Sequence, residues 1–102
     1  MEKLRFGLIG CGKIVELGHA PALEKLIQNG ENFEFTAACD VRKIQVDKIA
    51  ARFDVKAYTD YREMLDDVDC VLIATMHDSH YEIAYLFITH GKHVLLEIIP
   101  RH

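Results

Sequence analysis

The sequence lacks the features that would assign it to a disulfide-rich or zinc-binding class. It contains three cysteines, an odd number, and Cys11, Cys39 and Cys70 do not have the spacing of metal ligands. A disulfide framework or a zinc site is therefore not expected. Because each cysteine falls in or beside a predicted strand, we expect three buried and reduced thiols.

The chain also has no excess of positive charge and no long apolar run. Its 12 basic and 16 acidic residues give a formal net charge of -4, and the basic residues form no stripe that would follow a nucleic-acid backbone. No apolar segment approaches the roughly 18 residues of a membrane span, and residues 1–3 lead into a predicted strand and not a signal peptide. The composition argues against nucleic-acid and membrane partners and predicts a cytoplasmic protein.

The length and the hydrophobic content predict a single domain. With 102 residues, 50% of them hydrophobic, the chain can bury one core but has no room for a second. We therefore expect one domain over residues 1–102.

The most informative stretch is residues 5–15, RFGLIGCGKIV, where a short apolar run ends in closely spaced glycines and a helical pattern follows. Gly10 supplies backbone angles that a Cβ would forbid, and Gly12 lets a pyrophosphate approach the main chain. The turn from Cys11 through Lys13 and Ile14 then offers N–H groups at a helix start. Val15 stands where the third glycine of the dinucleotide motif would be. Since ordinary strand-to-helix turns also contain Gly-x-Gly, the context must decide.

Strands and helices alternate along the whole chain, which is typical of a doubly wound fold. After the first strand, helical patterns are predicted at about 14–29, from 41 to 53, at 60–66 and at 79–90, the last two with capping-box spacing. Strands are predicted at 34–39, 56–59, 69–75 and 93–99. The strand at 56–59 is short and polar, as an edge strand is. Right-handed crossovers then predict an α/β, Rossmann-like parallel sheet of order 3-2-1-4-5.

Asp40 follows the second strand and gives the glycine turn its context. In that sheet the first strand is central, and its carboxyl end lies at the switch point where ligands bind. A carboxylate at the tip of the second strand would accept hydrogen bonds from a ribose hydroxyl. The alternative is that Asp40 is the N-cap of the next helix. Its charge would repel a 2'-phosphate, which favours NAD over NADP, although Arg42 would offset part of that repulsion.

At this point the chain resembles the Gfo/Idh/MocA oxidoreductases, the family of glucose-fructose oxidoreductase and inositol 2-dehydrogenase. The resemblance rests on motifs in the right order: GLIGCGKI at 7–14, HAPAL at 19–23, ACD at 38–40, YTDYREML at 58–65, VLIAT at 71–75 and GKHVLLE at 91–97. It covers nearly the whole chain. The resemblance implies a nicotinamide-dependent enzyme that transfers a hydride to or from a sugar, polyol or similar small molecule.

The resemblance also implies three further cofactor-side residues: Thr75, His80 and Glu97. Two departures bear on activity, since Ile98 stands where the family has a lysine after the glutamate and Met76 replaces a proline. No residue is assigned a catalytic role. A metal site at 77–80 is disfavoured, because a helix cap at position 79 separates the ligands and no fourth ligand is apparent.

The family's second, substrate-binding α/β domain is not within these 102 residues, so we expect a catalytically incomplete cofactor half. The rival interpretation is a binding module without redox activity.

The last predicted strand and the helix before it carry an exposed apolar surface. Inward positions are expected to be Ile83, Ala84, Phe87 and Ile88, with Tyr85 and Leu86 outward. The strand at 93–99 is apolar and has no neighbour on its outer side. Because unpaired edges recruit other chains, we expect a homo-oligomer formed through residues 83–99.

Overall fold

The computed structural model describes residues 3–12, 25, 32–75 and 80–96. These residues form a five-stranded parallel sheet of order β3-β2-β1-β4-β5, as predicted. Its strands are β1 (Leu4–Ile9), β2 (Phe33–Cys39), β3 (Lys56–Tyr58), β4 (Cys70–Ile73) and β5 (His93–Leu96). Except for residue 25, the helix predicted after the glycine turn lies outside the described residues, and so do positions 97–99 of the predicted last strand.

The central strand β1 determines where the ends of its neighbours lie. Ile9, its last residue, is in register with Cys39 of β2 on one side and with Ile73 of β4 on the other. Because all strands are parallel, their carboxyl ends meet at one edge of the sheet. The glycine turn that follows β1 therefore sits between the tips of β2 and β4.

The helix α1 (Lys43–Phe53) covers one face of this sheet. It buries Val46 and Ile49, which pack with Leu8 of β1, as the spacing of its apolar residues predicts. The predicted start at Val41 is wrong: Arg42 is the N-cap, and Val41 is 86% exposed.

The helix α2 (His80–Thr89) lies on the other face and buries Ile83, Ala84 and Phe87. The assignment of two of its residues is corrected: Ile88 is 60% exposed, whereas Leu86 packs against the core. At about 100° per residue, Leu86 and Ile88 lie on opposite flanks of the buried face, each roughly 100° from its centre. Helical spacing therefore does not decide which of the two packs inward, and the tertiary contacts do. The outward position of Tyr85 is confirmed by its 72% exposure.

The segment after β3 is a 3-10 helix (Tyr61–Asp67) with Asp60 as its N-cap. The Asp60 side chain accepts a hydrogen bond from the backbone N–H of Arg62 at 3.0 Å. A capping box would direct that bond to Glu63, so the capping partner is one residue earlier than predicted. The tighter i to i+3 winding of this helix is consistent with the shift.

The 3-10 helix packs closely against β1 at Gly7. The register of β1 and β2 shifts after Phe6, which leaves Thr36 unpaired in the ladder. The Thr36 hydroxyl bridges to the carbonyl oxygens of Phe6 at 3.3 Å and Asp67 at 2.7 Å. A Cβ on Gly7 would lie 2.7 Å from Met64 Cε. Gly7 is thus required by packing and not by its backbone angles.

We expect Gly7→Ala to lower the free energy of unfolding by about 1–3 kcal/mol, as overpacking does in other cores. Met64 and Val68 are buried and have little room to retreat. Urea unfolding followed by circular dichroism measures the change. Gly12→Ala is the matched control, because among the described residues its new Cβ would lie within 4 Å of Arg42 alone, at 3.6 Å. Equal stability of the Gly7 variant and the parent would contradict this account of the packing.

Candidate functional site

The glycine turn is held between two strand tips by backbone geometry. Gly10 has φ +101, and a Cβ there would lie 2.5 Å from the carbonyl oxygen of Ala74. Its N–H donates to the Cys39 carbonyl at 2.7 Å, and the Ala74 N–H donates to the Ile9 carbonyl at 2.7 Å. The sequence-based expectation that only glycine suits position 10 is confirmed by both its φ and its close contact with β4.

Gly12 lies at the open side of this turn. The only described atom within 4 Å of a Cβ placed on it is Arg42 Nη2, at 3.6 Å. The space that a side chain would fill at this position is therefore available to a ligand. A bare backbone at the carboxyl end of a central strand is the setting in which Rossmann folds hold a pyrophosphate. The residues present fit such a group.

Asp40 joins the glycine turn to the tip of β2. Asp40 is buried, with only 8% of the residue's surface exposed. Oδ2 accepts a hydrogen bond from the Cys11 N–H at 2.8 Å, and Oδ1 accepts one from the Arg42 N–H at 2.8 Å. The alternative role as N-cap of the next helix is not observed, since the N-cap is Arg42. Asp40 instead bridges backward to the turn and forward to the start of α1.

The Arg42 side chain occupies the remaining acceptor sites of this carboxylate. Its Nε lies 3.3 Å from Oδ1 and its Nη2 lies 3.3 Å from Oδ2 of Asp40. With two donors on each oxygen, the roughly four lone-pair sites of the carboxylate are all used. The Arg42 side chain is itself 61% exposed, so only one member of the ion pair is fixed by its surroundings.

Burial alone would raise the pKa of Asp40, but its hydrogen-bond donors outweigh that effect. The side chain and the backbone N–H of Arg42, with the N–H of Cys11, hold the pKa below its ordinary value. Asp40 is therefore ionised at neutral pH. Its negative charge is the fixed electrostatic feature of the site.

These residues line a cleft of about 430 Å³ at the carboxyl edge of the sheet. It brings together five of the residues predicted from the sequence: Gly10, Gly12, Asp40, Arg42 and Thr75. A volume of this order suits part of a small organic ligand, and the position is the switch point between β1 and β4. The predicted residues Lys13, Ile14 and Glu97 lie outside the described part of the chain.

Cys11 and His80 are near the cleft but do not line it. The side chain of Cys11 is in the core at 1% exposure, and its N–H is donated to Asp40. His80 is 5% exposed, and its Nε2 lies 2.7 Å from the Thr75 carbonyl oxygen. That bond ties the start of α2 to the end of β4. His80 can thus act on a ligand by positioning Thr75.

The cleft also has lining residues that the sequence analysis did not assign to the site. They are Ile9, Cys39, Val41, Thr59, Tyr61, Ala74, Glu82 and Ile83. Tyr61 and Glu82 belong to helices that follow different strands, and only the packing of these two helices on one face brings them together. The available signal was the predicted start of each helix, because residues at helix starts after parallel strands point to the same edge.

The thiols near the cleft are not reactive groups. Burial, together with the charge of Asp40, raises the pKa of Cys11 and that of Cys39 to about 12. The Cys11 thiol donates to the Cys39 carbonyl at 3.5 Å. All three cysteines are free, and Cys70 is only half-buried. The expectation of reduced thiols is confirmed, and that of full burial holds for two of them.

Among the described residues no cluster of three or more His, Cys, Asp or Glu side chains has the geometry to hold a metal ion. Of the positions considered as metal ligands, 77 and 78 lie outside the described residues, and His80 lies within them. Within the same described part, no helix has the length and apolarity needed to cross a membrane.

A family model described as "Oxidoreductase family, NAD-binding Rossmann fold" matches residues 4–98. An oxidoreductase from Formosa agariphila is 34% identical over 99 residues, which are 94% of this chain and 30% of that protein. The scyllo-inositol 2-dehydrogenase (NADP(+)) IolU of Bacillus subtilis is 34% identical over 97 residues, 92% of this chain and 28% of that protein.

Solved structures give the same result. The WlbA dehydrogenase from Chromobacterium violaceum, in complex with NADH and UDP-GlcNAcA, superposes with a TM-score of 0.82 at 28% identity, over 94% of this chain and 27% of that chain. A 3-ketoreductase from Actinomadura kijaniata, in complex with TDP-benzene and NADP, gives a TM-score of 0.78 at 32% identity, over 93% of this chain and 29% of that chain. The chain thus spans about 30% or less of the length of these proteins.

We expect Asp40→Asn to lower the free energy of unfolding at neutral pH by about 1–3 kcal/mol, because charge-assisted hydrogen bonds are lost. Folding lowers the pKa of Asp40. Its ionised form therefore contributes stability that is present above the unfolded pKa of about 3.9 and is lost as pH falls through the lower folded pKa. The difference between the variant and the parent should shrink as pH falls below about 4.

Denaturant titrations at several pH values measure this difference. The control is Asp47→Asn, which removes a half-exposed carboxylate that pairs with Lys43 on the surface of α1 and should change stability by less than about 1 kcal/mol. A destabilisation by Asp40→Asn that stays constant with pH would show that the charge of Asp40 does not contribute.

Proposed function

The chain belongs to the Gfo/Idh/MocA oxidoreductase family, with an NAD-binding Rossmann fold, and from this premise we propose that its cleft holds a nicotinamide dinucleotide for hydride transfer to or from a sugar, polyol or similar small substrate. One observation carries the proposal: the Gly10–Gly12 turn, held by backbone contacts with β2 and β4, opens into a cleft that the buried carboxylate of Asp40 also lines. The cleft therefore combines open main chain, which suits a pyrophosphate, with an acidic acceptor, which suits ribose hydroxyls.

The pyrophosphate is proposed to lie over Gly12, where no side chain intervenes. The N–H of Cys11 is already donated to Asp40, so the donors at this position come from the turn beyond it, at Gly12, Lys13 and Ile14. A helix start after the turn would add favourable dipoles for the phosphate charge. Cys11 then contributes by fixing the turn and not by direct contact.

The adenosine ribose is proposed to bind Asp40 in exchange for the Arg42 side chain. Two hydroxyls need two acceptor sites, and Arg42 Nε and Nη2 occupy two such sites in this structure. Because the Arg42 side chain is 61% exposed, its guanidinium can be hydrated when it leaves, and the ribose hydroxyls replace its hydrogen bonds to the buried carboxylate. Once displaced, Arg42 remains next to the ribose. It would then moderate, but not reverse, the preference of Asp40 for NAD over NADP.

Thr75 is proposed to contact the middle of the cofactor, with His80 holding its carbonyl in place. Glu97 is proposed to lie on the nicotinamide side, as the family resemblance implies. When bound, the nicotinamide supplies the hydride chemistry. The residues of this chain bind and orient it, and none is assigned a catalytic role.

Residues 1–102 are proposed to be the dinucleotide-binding domain of a cytoplasmic enzyme, with a small-molecule substrate and no nucleic-acid or membrane partner. The chain spans 27–30% of the length of the relatives compared above. The substrate-binding groups of those proteins would then lie mainly in their other regions. The 102 residues taken alone should bind the cofactor without turnover.

We expect the chain to bind NADH more tightly than NADPH by about 1–3 kcal/mol, because Asp40 accepts ribose hydroxyls and repels a phosphate. Asp40→Ser should narrow that difference. Fluorescence titration with each dinucleotide measures the difference in binding free energy. The titrations are done without denaturant, at a pH where circular dichroism shows that the variant is folded. Gly12→Val, which fills the space above the turn, should weaken both ligands alike and serves as the control.

Equal or tighter binding of NADPH by the parent chain would overturn the role of Asp40 and point to Arg42. No binding of either dinucleotide would overturn the proposed function. Activity assays of the chain with bound dinucleotide, using polyols and sugars as substrates, distinguish an enzyme, which would turn them over, from the rival binding module, which would not. Turnover by these 102 residues would contradict the proposal that they are catalytically incomplete.

A homo-oligomer is proposed to form through α2 and β5. The edge strand β5 exposes Leu95 by 64% and Leu96 by 44%. On α2, Tyr81, Tyr85 and Ile88 are 79%, 72% and 60% exposed, and their i, i+4, i+7 spacing places them on one side of the helix. An apolar surface beside an unpaired strand edge is typical of a protein interface.

We expect Leu96→Lys to shift the chain towards monomer, because it places a charge on the edge that a second copy would cover. Ile98→Lys should act in the same direction if the strand continues as the sequence predicts. Sedimentation velocity at micromolar concentration measures the change. Ile44→Lys is the control, since Ile44 is 73% exposed but lies on α1. A parent chain that is already monomeric would overturn the proposed interface.

A further inference from the structure

The cleft has a second wall that neither the glycine turn nor Asp40 explains. It is formed by Thr59 and Tyr61, which follow β3, and by Glu82 and Ile83 in the first turns of α2. The Tyr61 ring packs on Phe87 of α2, with ring centroids 6.4 Å apart. Two helices thus meet here and present an aromatic ring, an aliphatic side chain and one carboxylate to the same cavity.

The order of the strands indicates which part of a dinucleotide reaches this wall. The glycine turn follows β1, Asp40 follows β2, and Thr59 and Tyr61 follow β3, and these three strands are neighbours in that order. A ligand with its pyrophosphate at the turn and its ribose at Asp40 therefore extends its base towards β3. Tyr61 and Ile83 supply the flat and apolar surfaces that a purine ring packs against.

Glu82 gives this wall its one carboxylate. It is exposed, and within the described part of the chain its carboxylate makes no hydrogen bond or ion pair. Its proximity to the aromatic wall is seen in Tyr61, whose pKa is raised first by burial and then by the charge of Glu82. An ionised carboxylate only accepts hydrogen bonds. It can therefore pair with a base that offers a donor and is repelled by one that offers a carbonyl.

Adenine and the 6-oxopurines differ in this property. Adenine carries an amino donor at C6, whereas guanine carries a carbonyl acceptor there, as hypoxanthine also does. We propose that Glu82 accepts a hydrogen bond from the 6-amino group of the adenine and so selects an adenine dinucleotide over its 6-oxopurine counterparts. This inference rests on the proposed function, since it needs the dinucleotide to lie in the cleft. Glu82 is then a specificity-determining residue at the end of the site farthest from hydride transfer.

The test compares the binding of NADH with that of reduced nicotinamide hypoxanthine dinucleotide by the 102-residue chain, using fluorescence titration. The parent should bind NADH roughly tenfold more tightly, as expected for a hydrogen bond to a charged group. In Glu82→Gln the ratio should fall to about one, because an amide can donate to a carbonyl as well as accept from an amine. Glu34→Gln removes an exposed glutamate near the opposite end of β2 and should leave the ratio unchanged.

A second variant distinguishes hydrogen bonding to the base by Glu82 from packing against the base by Tyr61. Tyr61→Ala should weaken both dinucleotides by a similar factor and leave their ratio close to that of the parent. An equal ratio in the parent and in Glu82→Gln, with NADH still bound, would overturn this inference and leave the proposed function standing. Failure of the folded parent to bind NADH would overturn both.

Discussion

The hydrogen bond from the backbone N–H of Cys11 to the Asp40 carboxylate is the constraint on which the rest of the site depends. At 2.8 Å it joins the turn after β1 to the tip of β2. The Gly10 N–H donates to the Cys39 carbonyl at the tip of β2, and the Ala74 N–H, directly after β4, donates to the Ile9 carbonyl at the end of β1. Because three strand ends are connected in this way, the open backbone at Gly12 and the carboxylate keep a fixed separation. A ligand that spans the two needs no rearrangement of the sheet.

The same bond limits what Asp40 can do. Its carboxylate is saturated by the Cys11 N–H and by three donors of Arg42. Only the guanidinium, on a largely exposed side chain, can leave without disturbing the backbone. In the proposed binding mode, the selectivity of the ribose site is therefore a competition between a ligand hydroxyl and Arg42. In the sequence Asp40 is a single acidic residue, but in the folded chain it forms an ion pair with Arg42.

How much of this could be read from the sequence depends on the range of the interactions. Apolar periodicity and the alternation of elements predicted the strand order, and the Gly-x-Gly pattern predicted the positive φ at Gly10, because both are local or follow from chain topology. The packing of Met64 on Gly7 and the hydrogen bond from the Cys11 N–H to Asp40 depend on contacts between distant segments. The spacing of residues along the sequence does not predict such contacts. The error at Leu86 and Ile88 had a different origin, since an almost wholly apolar helix gives periodicity little to discriminate.

The two carboxylates of the cleft illustrate why position in the fold, and not residue type, separates their roles. Asp40 is buried and holds backbone donors, so its removal disturbs the turn itself. Glu82 stands on the exposed first turn of α2 and accepts no hydrogen bond from the described residues, so its removal should leave the fold intact. In the proposed binding mode, substitutions at Glu82 would therefore alter recognition of the base with little effect on stability. Selectivity for the base would then be separable from selectivity for the ribose, because Glu82 on α2 and Asp40 after β2 are held by different elements.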